Sequence, residues 1–180
     1  MKAYEQYIET VVKKFENKEK NSKNELITHS ILGLGSEIGE YLEGVIMGDK
    51  LNIKEEFGDV TYFFWQGVGA IGFDPFDIDL KYSVKDAGNM GLNKMIVSQS
   101  RLEGMIKNYM FYDAEFPSDD DLKLEYARFY FNFKYLLNEN NLSEVEIMQS
   151  NARKLEERYG EKFSKEAALN RDKEKELAAV

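Results

Sequence analysis

Two pairs of acidic residues lie on either side of a short glycine-containing break in the first third of the chain. Glu37 and Glu40 form one pair, Glu56 and Asp59 the other, and each pair is spaced three positions apart. Residues three apart share one face of a helix, so two antiparallel helices would bring four carboxylates into a small volume. Such a cluster repels itself unless a hard cation lies within it, and ligands that are all oxygen suit Mg²⁺, with Mn²⁺ as a substitute. The spacing therefore predicts a metal site built from these four residues, and metal-dependent chemistry on a phosphate-rich substrate.

These four carboxylates differ from most of the 33 acidic residues in the chain in the helical faces on which they lie. Glu37 and Glu40 share a stripe with His29, beside an apolar face, and Glu56 and Asp59 stand at the head of an apolar stripe. Unpaired buried carboxylates are costly, which favours a bound cation over the alternative of an exposed edge or salt bridges to lysine. His29 is the only histidine and is either a ligand-contacting or a structural residue. A single histidine at this spacing argues against a di-iron bundle, which needs two Glu-x-x-His motifs.

Hydrophobic residues recur with a helical period almost throughout the chain, which predicts an all-α fold, a helical bundle. Capping-box patterns at Ser22, Asn52, Ser118 and Ser143 predict where four of the helices begin, and Ser164 is predicted to cap the last. The predicted helices cover about 4–15, 22–47, 52–71, 77–86, 90–112, 118–137, 143–159 and the charged segment after 164.

The length of 180 residues predicts a single all-α domain, 1–180, large enough to bury a core. Its active hairpin is predicted at about 22–72, a second hairpin at about 90–138, and closing helices at about 143–178. The second hairpin aligns weakly with the first. Three matched pairs carry the comparison: Glu56 with Glu125, Asp59 with Arg128, and Glu37 with Arg101. The second hairpin is thus expected to be a degenerate copy that has lost most of its carboxylates, although any two helical hairpins can align this well.

Charge and composition narrow the classes of partner. A net charge of −9 argues against binding a nucleic-acid polymer or an anionic membrane, because both require a basic surface. The chain has no cysteine, which excludes disulfides and thiolate metal sites and fits a reducing cytoplasm. The N-terminus is too polar for a signal peptide, and the longest apolar stretch is too short to span a bilayer. We expect a soluble, cytoplasmic protein.

The helix over 52–71 is apolar almost all round, which favours a homo-oligomer, with a dimer preferred.

Polar residues on the helix over 143–159 form a second group of candidates. Asn151, Lys154 and Arg158 lie on one strip of this helix, and an amide with two cations suits phosphate oxygens. Arg171, near the C-terminus, is a weaker candidate of the same kind. The alternative is that the strip is an ordinary solvated face.

Together these residues resemble the MazG-like, all-α NTP pyrophosphatase superfamily, which also contains the dimeric dUTPases. One block of resemblance runs from residue 27 to 62 and matches the Glu-x-x-Glu, spacer, Glu-x-x-Asp signature. The other runs from residue 142 to 172 and is similar to the closing helix with its Asn-x-x-Lys-Leu-x-x-Arg-Tyr pattern. Simple family members pass almost directly from the first block to the second, whereas here the second hairpin intervenes.

The resemblance implies Mg²⁺-dependent hydrolysis of a nucleoside triphosphate, with a deoxynucleotide favoured, to the monophosphate and pyrophosphate. It implies that Glu40, or else Glu37, accepts a proton from water. The implied substrate-binding residues are Asn151, Lys154, Arg158, His29, Lys54 and Arg171, with Lys107 as a further candidate. A second hypothesis is a nucleotide-binding sensor or sequestering module without catalysis, and a third is a helical adaptor. The nucleobase is left open.

Overall fold

A computed structural model describes residues 2–17, 19, 22–78, 91–170, 172, 175, 176 and 178. These residues form helices and connecting turns with no strand among them, which confirms the predicted all-α bundle. None of the described helices has the length and apolarity needed to cross a membrane. The elements in chain order are α1 (Ala3–Tyr7), a π-helical turn (Ile8–Val12), α2 (Lys13–Phe15), α3 (Lys23–Met47), α4 (Lys50–Ile71), a 3₁₀ turn (Pro75–Asp77), α5 (Leu92–Phe111), α6 (Asp119–Glu139), α7 (Glu144–Tyr159) and α8 (Lys165–Leu169). Most of the helix predicted over 77–86 lies outside the described residues.

Serine side chains cap three of the helices as predicted. Ser22, Ser118 and Ser164 each accept a hydrogen bond from a backbone N–H in the first turn of α3, α6 and α8. Such a cap satisfies one of the amide groups that a helix N-terminus leaves without a partner. Ser143 precedes α7 at the expected place but makes no side-chain cap hydrogen bond, so that capping box was predicted wrongly.

The start of α4 also differs from the prediction. The helix begins at Lys50, and its cap is Asp49, whose carboxylate accepts hydrogen bonds from the amides of Leu51 and Asn52. Asn52 is therefore inside the helix. The preceding residue, Gly48, has a positive φ of 69° and ends α3. Glycine adopts this left-handed conformation without steric cost, so the chain reverses within two residues.

Two helical hairpins, α3 with α4 and α5 with α6, pack against each other to form the bundle. The ring of Phe57 lies 5.7 Å from that of Phe133, and the ring of Phe64 lies 5.0 Å from that of Tyr130. Because the contacts move backwards along α6 as they move forwards along α4, these two helices are antiparallel. Burial of each such ring stabilises the fold by about 1.5–3 kcal/mol.

Helix α4 is covered on several sides within a single chain. It packs against α3, α6, α7 and the π-helical turn. Tyr4 of α1 stacks on Trp65 of α4 with the ring centroids 4.4 Å apart. These contacts account for the apolar character of α4 without a second subunit, and a homo-oligomer stays a prediction.

Gly67 of α4 is required by the close approach of the two hairpins. A Cβ there would lie 2.2 Å from the Tyr126 hydroxyl and 2.5 Å from the Ser30 hydroxyl, which hydrogen bond each other at 2.7 Å. We expect Gly67→Ala to lower the free energy of unfolding by about 1–3 kcal/mol, measured by urea denaturation. Gly39→Ala is the matched control, because a Cβ at this exposed helical position meets nothing within 4 Å. It should raise stability by about 0.5–1 kcal/mol. Equal effects of the two substitutions would contradict this packing.

Candidate metal centre

Three carboxylates meet between α3 and α4. Glu37, Glu56 and Asp59 each offer an oxygen, and these oxygens all lie within 4.8 Å of one another. The tight turn after Gly48 makes the two helices antiparallel neighbours, and the three-residue spacing places Glu56 and Asp59 on the same face of α4. The predicted convergence of acidic side chains is therefore present for three of the four residues.

Glu40, the fourth predicted ligand, lies outside this three-carboxylate cluster. It is exposed, one turn after Glu37 on α3. Its charge still acts on the cluster, because it contributes to the raised pKa values of both Glu37 and Glu56. Glu40 is thus a neighbour of the cluster within electrostatic reach.

Glu56 is the most deeply buried member of the cluster. Only 3% of its surface is exposed, and its Oε2 atom has no hydrogen-bond partner among the described residues. A buried carboxylate oxygen without a partner costs free energy unless it binds a proton or a cation. The three residues offer only oxygen ligands, the donor type that Mg²⁺ and Mn²⁺ prefer. Glu37, Glu56 and Asp59 therefore fit a hard divalent cation.

Burial and mutual repulsion raise the pKa values of two of these carboxyl groups. Burial, followed by the charges of Asp59 and Glu40, raises the pKa of Glu37 to about 7. Burial, followed by the charges of Asp59, Glu37 and Glu40, raises the pKa of Glu56 to about 9. Carboxylates this close together repel each other when all are charged, so the raised pKa values favour a proton on the cluster in the absence of a cation.

Helix α7 holds Asp59 in place. The Asn151 amide nitrogen donates to one Asp59 oxygen at 2.8 Å, and the Lys154 ammonium donates to the other. Lys154 is fully buried and also reaches Glu55 Oε1 at 3.3 Å. Tyr7 donates to the Asn151 amide oxygen at 2.6 Å, which fixes the orientation of that side chain. In this state Asn151 and Lys154, both predicted to bind substrate, bind a carboxylate of the cluster.

A cleft of about 270 Å³ opens beside the carboxylates. Glu37 and Asp59 line it together with His29 and Arg158. The other lining side chains are mostly aromatic or apolar: Phe15, Tyr62, Phe63, Leu155, Tyr159, Phe163 and Ala168, with Asn17 as a further polar residue. A cleft lined mostly by apolar side chains with a few charged groups is typical of small-molecule sites.

Of the remaining predicted substrate-binding residues, His29 and Arg158 line this cleft, and Lys54 and Lys107 are not among its lining residues. His29 is exposed, with its Nδ1 atom 3.0 Å from Gln66 Oε1 and its ring edge-on to Phe63. Arg158 lines the cleft and forms a two-point ion pair with Glu176 at 2.9 and 2.5 Å. Lys54 is half-buried near the start of α4, and Lys107 is exposed on α5. Arg171 lies outside the described residues.

Sequence reasoning missed Tyr7, Phe15 and Tyr62. Tyr7 and Phe15 are on the N-terminal helical segment, 137 and 129 positions before the start of α7, and nothing in their local pattern distinguishes them from core aromatics. Their contribution follows from tertiary packing alone.

Comparison with known proteins returns no matching family model, curated protein or solved structure. The resemblance to the MazG-like superfamily therefore stays a prediction.

The raised pKa values predict how stability depends on pH. The folded, metal-free protein binds protons on Glu37 and Glu56 up to about pH 7 and pH 9. In the unfolded chain the same carboxyl groups lose their protons near the ordinary pKa of 4.5. The free energy of unfolding should therefore fall, by a few kcal/mol in order of magnitude, as pH rises from about 5 to about 9. Added Mg²⁺ should reduce this loss. Urea denaturation at several pH values, with EDTA or with Mg²⁺, measures both effects.

Two variants control that experiment. Glu56→Gln removes a titrating group of the cluster, so the dependence on both pH and Mg²⁺ should be weaker. Glu43→Gln, at an exposed position on α3, should behave as the wild type. A wild-type slope no steeper than that of Glu56→Gln would contradict the assignment of the raised pKa values to this cluster.

Lys154 is expected to be essential for the stability of this region. Lys154→Met should lower the free energy of unfolding by about 3–5 kcal/mol, because it removes the buried ammonium group that pairs with Asp59. Lys162→Met, at an exposed position after α7, should change it by less than about 0.5 kcal/mol. Similar unfolding midpoints in urea for the two variants would show that Lys154 does not balance the cluster.

Proposed function

We propose that this protein is a Mg²⁺-dependent nucleoside triphosphate pyrophosphohydrolase, which converts a (deoxy)nucleoside triphosphate and water into the monophosphate and pyrophosphate. The observation that carries the proposal is the cluster of Glu37, Glu56 and Asp59 at the edge of an aromatic cleft, with a buried Glu56 oxygen that has no partner among the described residues. The resemblance in the two sequence blocks supports the same reaction.

The positions of the side chains support a proposed role for each of them. Glu37, Glu56 and Asp59 would hold the cation, and Asn151 and Lys154 would keep Asp59 in a fixed orientation. A bound Mg²⁺ would supply positive charge to phosphate oxygens and lower the pKa of water. The acidic residues alone would repel a triphosphate, so substrate and cation are expected to bind together.

The reaction requires a group that accepts a proton. A water oxygen attacks the α-phosphorus, the bond from that phosphorus to the bridging oxygen breaks, and pyrophosphate leaves with the electron pair. We assign the proton from water to Glu40, because this carboxylate is near the cluster without belonging to it. Glu37 is the alternative acceptor if it does not hold the cation.

The cleft would hold the rest of the substrate. The aromatic side chains Phe63 and Tyr62 offer surfaces on which a nucleobase can stack, and the His29 ring lies edge-on to Phe63. Arg158 offers a guanidinium to the pyrophosphate group, for which the substrate would compete with Glu176.

A product assay with Mg²⁺ and a panel of ribo- and deoxynucleoside triphosphates tests the proposal. We expect a monophosphate and pyrophosphate, with turnover lost in Glu56→Gln and kept in Glu43→Gln. Glu40→Gln should lower kcat by about 10²–10⁴-fold while Mn²⁺ binding is retained, because it removes a proton acceptor and not a ligand. Full turnover in Glu56→Gln would contradict the metal assignment. Tight nucleotide binding with no product from any triphosphate would instead favour the sensor hypothesis.

A further inference from the structure

The two helical hairpins correspond to each other in their helix ends. Helix α4 follows the side-chain cap Asp49, and α6 follows the side-chain cap Ser118, which is 69 positions later. After α4 comes Gly72, with a φ of 79°, and after α6 comes Asn141, with a φ of 55°, again 69 positions later. A positive φ is uncommon outside glycine, so its recurrence at matched positions is informative. The two helices begin in register, and α6 ends one residue earlier than α4 does in that register.

The packing between the hairpins is reciprocal. Phe57 lies 5.7 Å from Phe133, and Phe64 lies 5.9 Å from Tyr126. In the same 69-residue register, Tyr126 matches Phe57 and Phe133 matches Phe64. Exchanging the two hairpins therefore converts the Phe57–Phe133 contact into the Tyr126–Phe64 contact. This is the pattern of a two-fold interface between two copies of one unit, here within a single chain.

The register also pairs Glu56 with Glu125, and the two residues share an unusual environment. Glu56 is 3% exposed and Glu125 is 5% exposed. In each residue the Oε2 atom is buried without a hydrogen-bond partner among the described residues. Few buried carboxylate oxygens lack partners in folded proteins, so the same feature at matched positions points to a common origin in a cation site.

The residues around Glu125 have the opposite charge to those around Glu56. In the 69-residue register Arg128 stands where the first hairpin has Asp59. Arg101, on the other helix of the second hairpin, lies next to Glu125 as Glu37 lies next to Glu56, although Glu37 and Arg101 are 64 positions apart. The Nη1 atom of Arg101 lies 3.5 Å from Glu125 Oε1, and Arg128 forms an ion pair with the same oxygen. Two guanidinium groups thus supply, next to the buried carboxylate, the positive charge that a divalent cation would supply in the first hairpin.

We infer that α5 and α6 are a second copy of the carboxylate hairpin, in which Arg101 and Arg128 take the place of the cation and Glu125 marks a latent divalent-cation site. The chain accordingly has one centre that needs a cation and one hairpin whose buried charge is balanced by protein alone. This inference concerns cation binding and does not depend on the reaction proposed above.

Reversal of the two arginine charges tests the inference directly. Arg101→Glu with Arg128→Asp restores a three-carboxylate set around Glu125, and Glu56→Gln in the same protein weakens the first site. Titration with Mn²⁺, followed by calorimetry or electron paramagnetic resonance, should show one additional Mn²⁺ per chain relative to Glu56→Gln alone. Adding Glu125→Gln should remove it. Lys13→Glu with Lys162→Glu is the control, since it changes the net charge equally at exposed positions.

The outcomes separate the alternatives. No additional Mn²⁺ in the folded double reversal, or additional Mn²⁺ that survives Glu125→Gln or appears equally in the lysine control, would overturn the inference. If the double reversal is unfolded without metal, millimolar Mn²⁺ should restore its helical circular dichroism. A variant that stays unfolded with Mn²⁺ would also overturn the inference, because the cation would then fail to replace the guanidinium groups. Binding is read instead of turnover, so failure of the proposed reaction would leave this result unaffected.

Discussion

Repulsion among Glu37, Glu56 and Asp59 is the constraint on which the rest of the structure depends. The tight turn at Gly48 and Asp49 makes α3 and α4 antiparallel neighbours, and the packing of α4 on several sides keeps Glu56 away from water. Three carboxylates in this position cannot all remain charged without compensation. A proton, favoured by the raised pKa values of Glu37 and Glu56, provides part of it in the metal-free protein, and a divalent cation would provide more.

Elements at the two ends of the chain contact this hairpin and stabilise it. Lys154 of α7 balances the charge of Asp59, and Asn151 holds its other oxygen. Tyr7, from the N-terminal helix, fixes the Asn151 amide, so residues that are 144 positions apart join in one network of hydrogen bonds. The same terminal parts of the chain add Phe15, Tyr159 and Phe163 to the wall of the cleft. Stability of the carboxylate cluster and formation of a ligand cleft are therefore consequences of one packing arrangement, in which α7 and the N-terminal helix close over α4.

The hairpin and three of its carboxylates could be predicted because they depend on local rules: helical period, a glycine break and spacing by three. These local rules wrongly placed Glu40 in the cluster. A spacing of three places two residues on one face, but the rotation of the helix against its neighbour decides which of them meets the opposing carboxylates. Asp49 was missed as a cap because Asn52 and Glu55 offered an equally good local pattern three residues later. Tyr7 and Phe15 could not be predicted as part of the site, since only tertiary packing brings them to it.

Binding of a divalent cation by Glu37, Glu56 and Asp59 underlies both the metal centre and the proposed reaction. A crystal structure of the protein grown with Mn²⁺ at neutral pH or above, with data collected for anomalous scattering from manganese, tests it most directly. We expect an anomalous peak within bonding distance of oxygens of all three residues, with Glu56 Oε2 among the ligands. A map with no peak between α3 and α4 would contradict it.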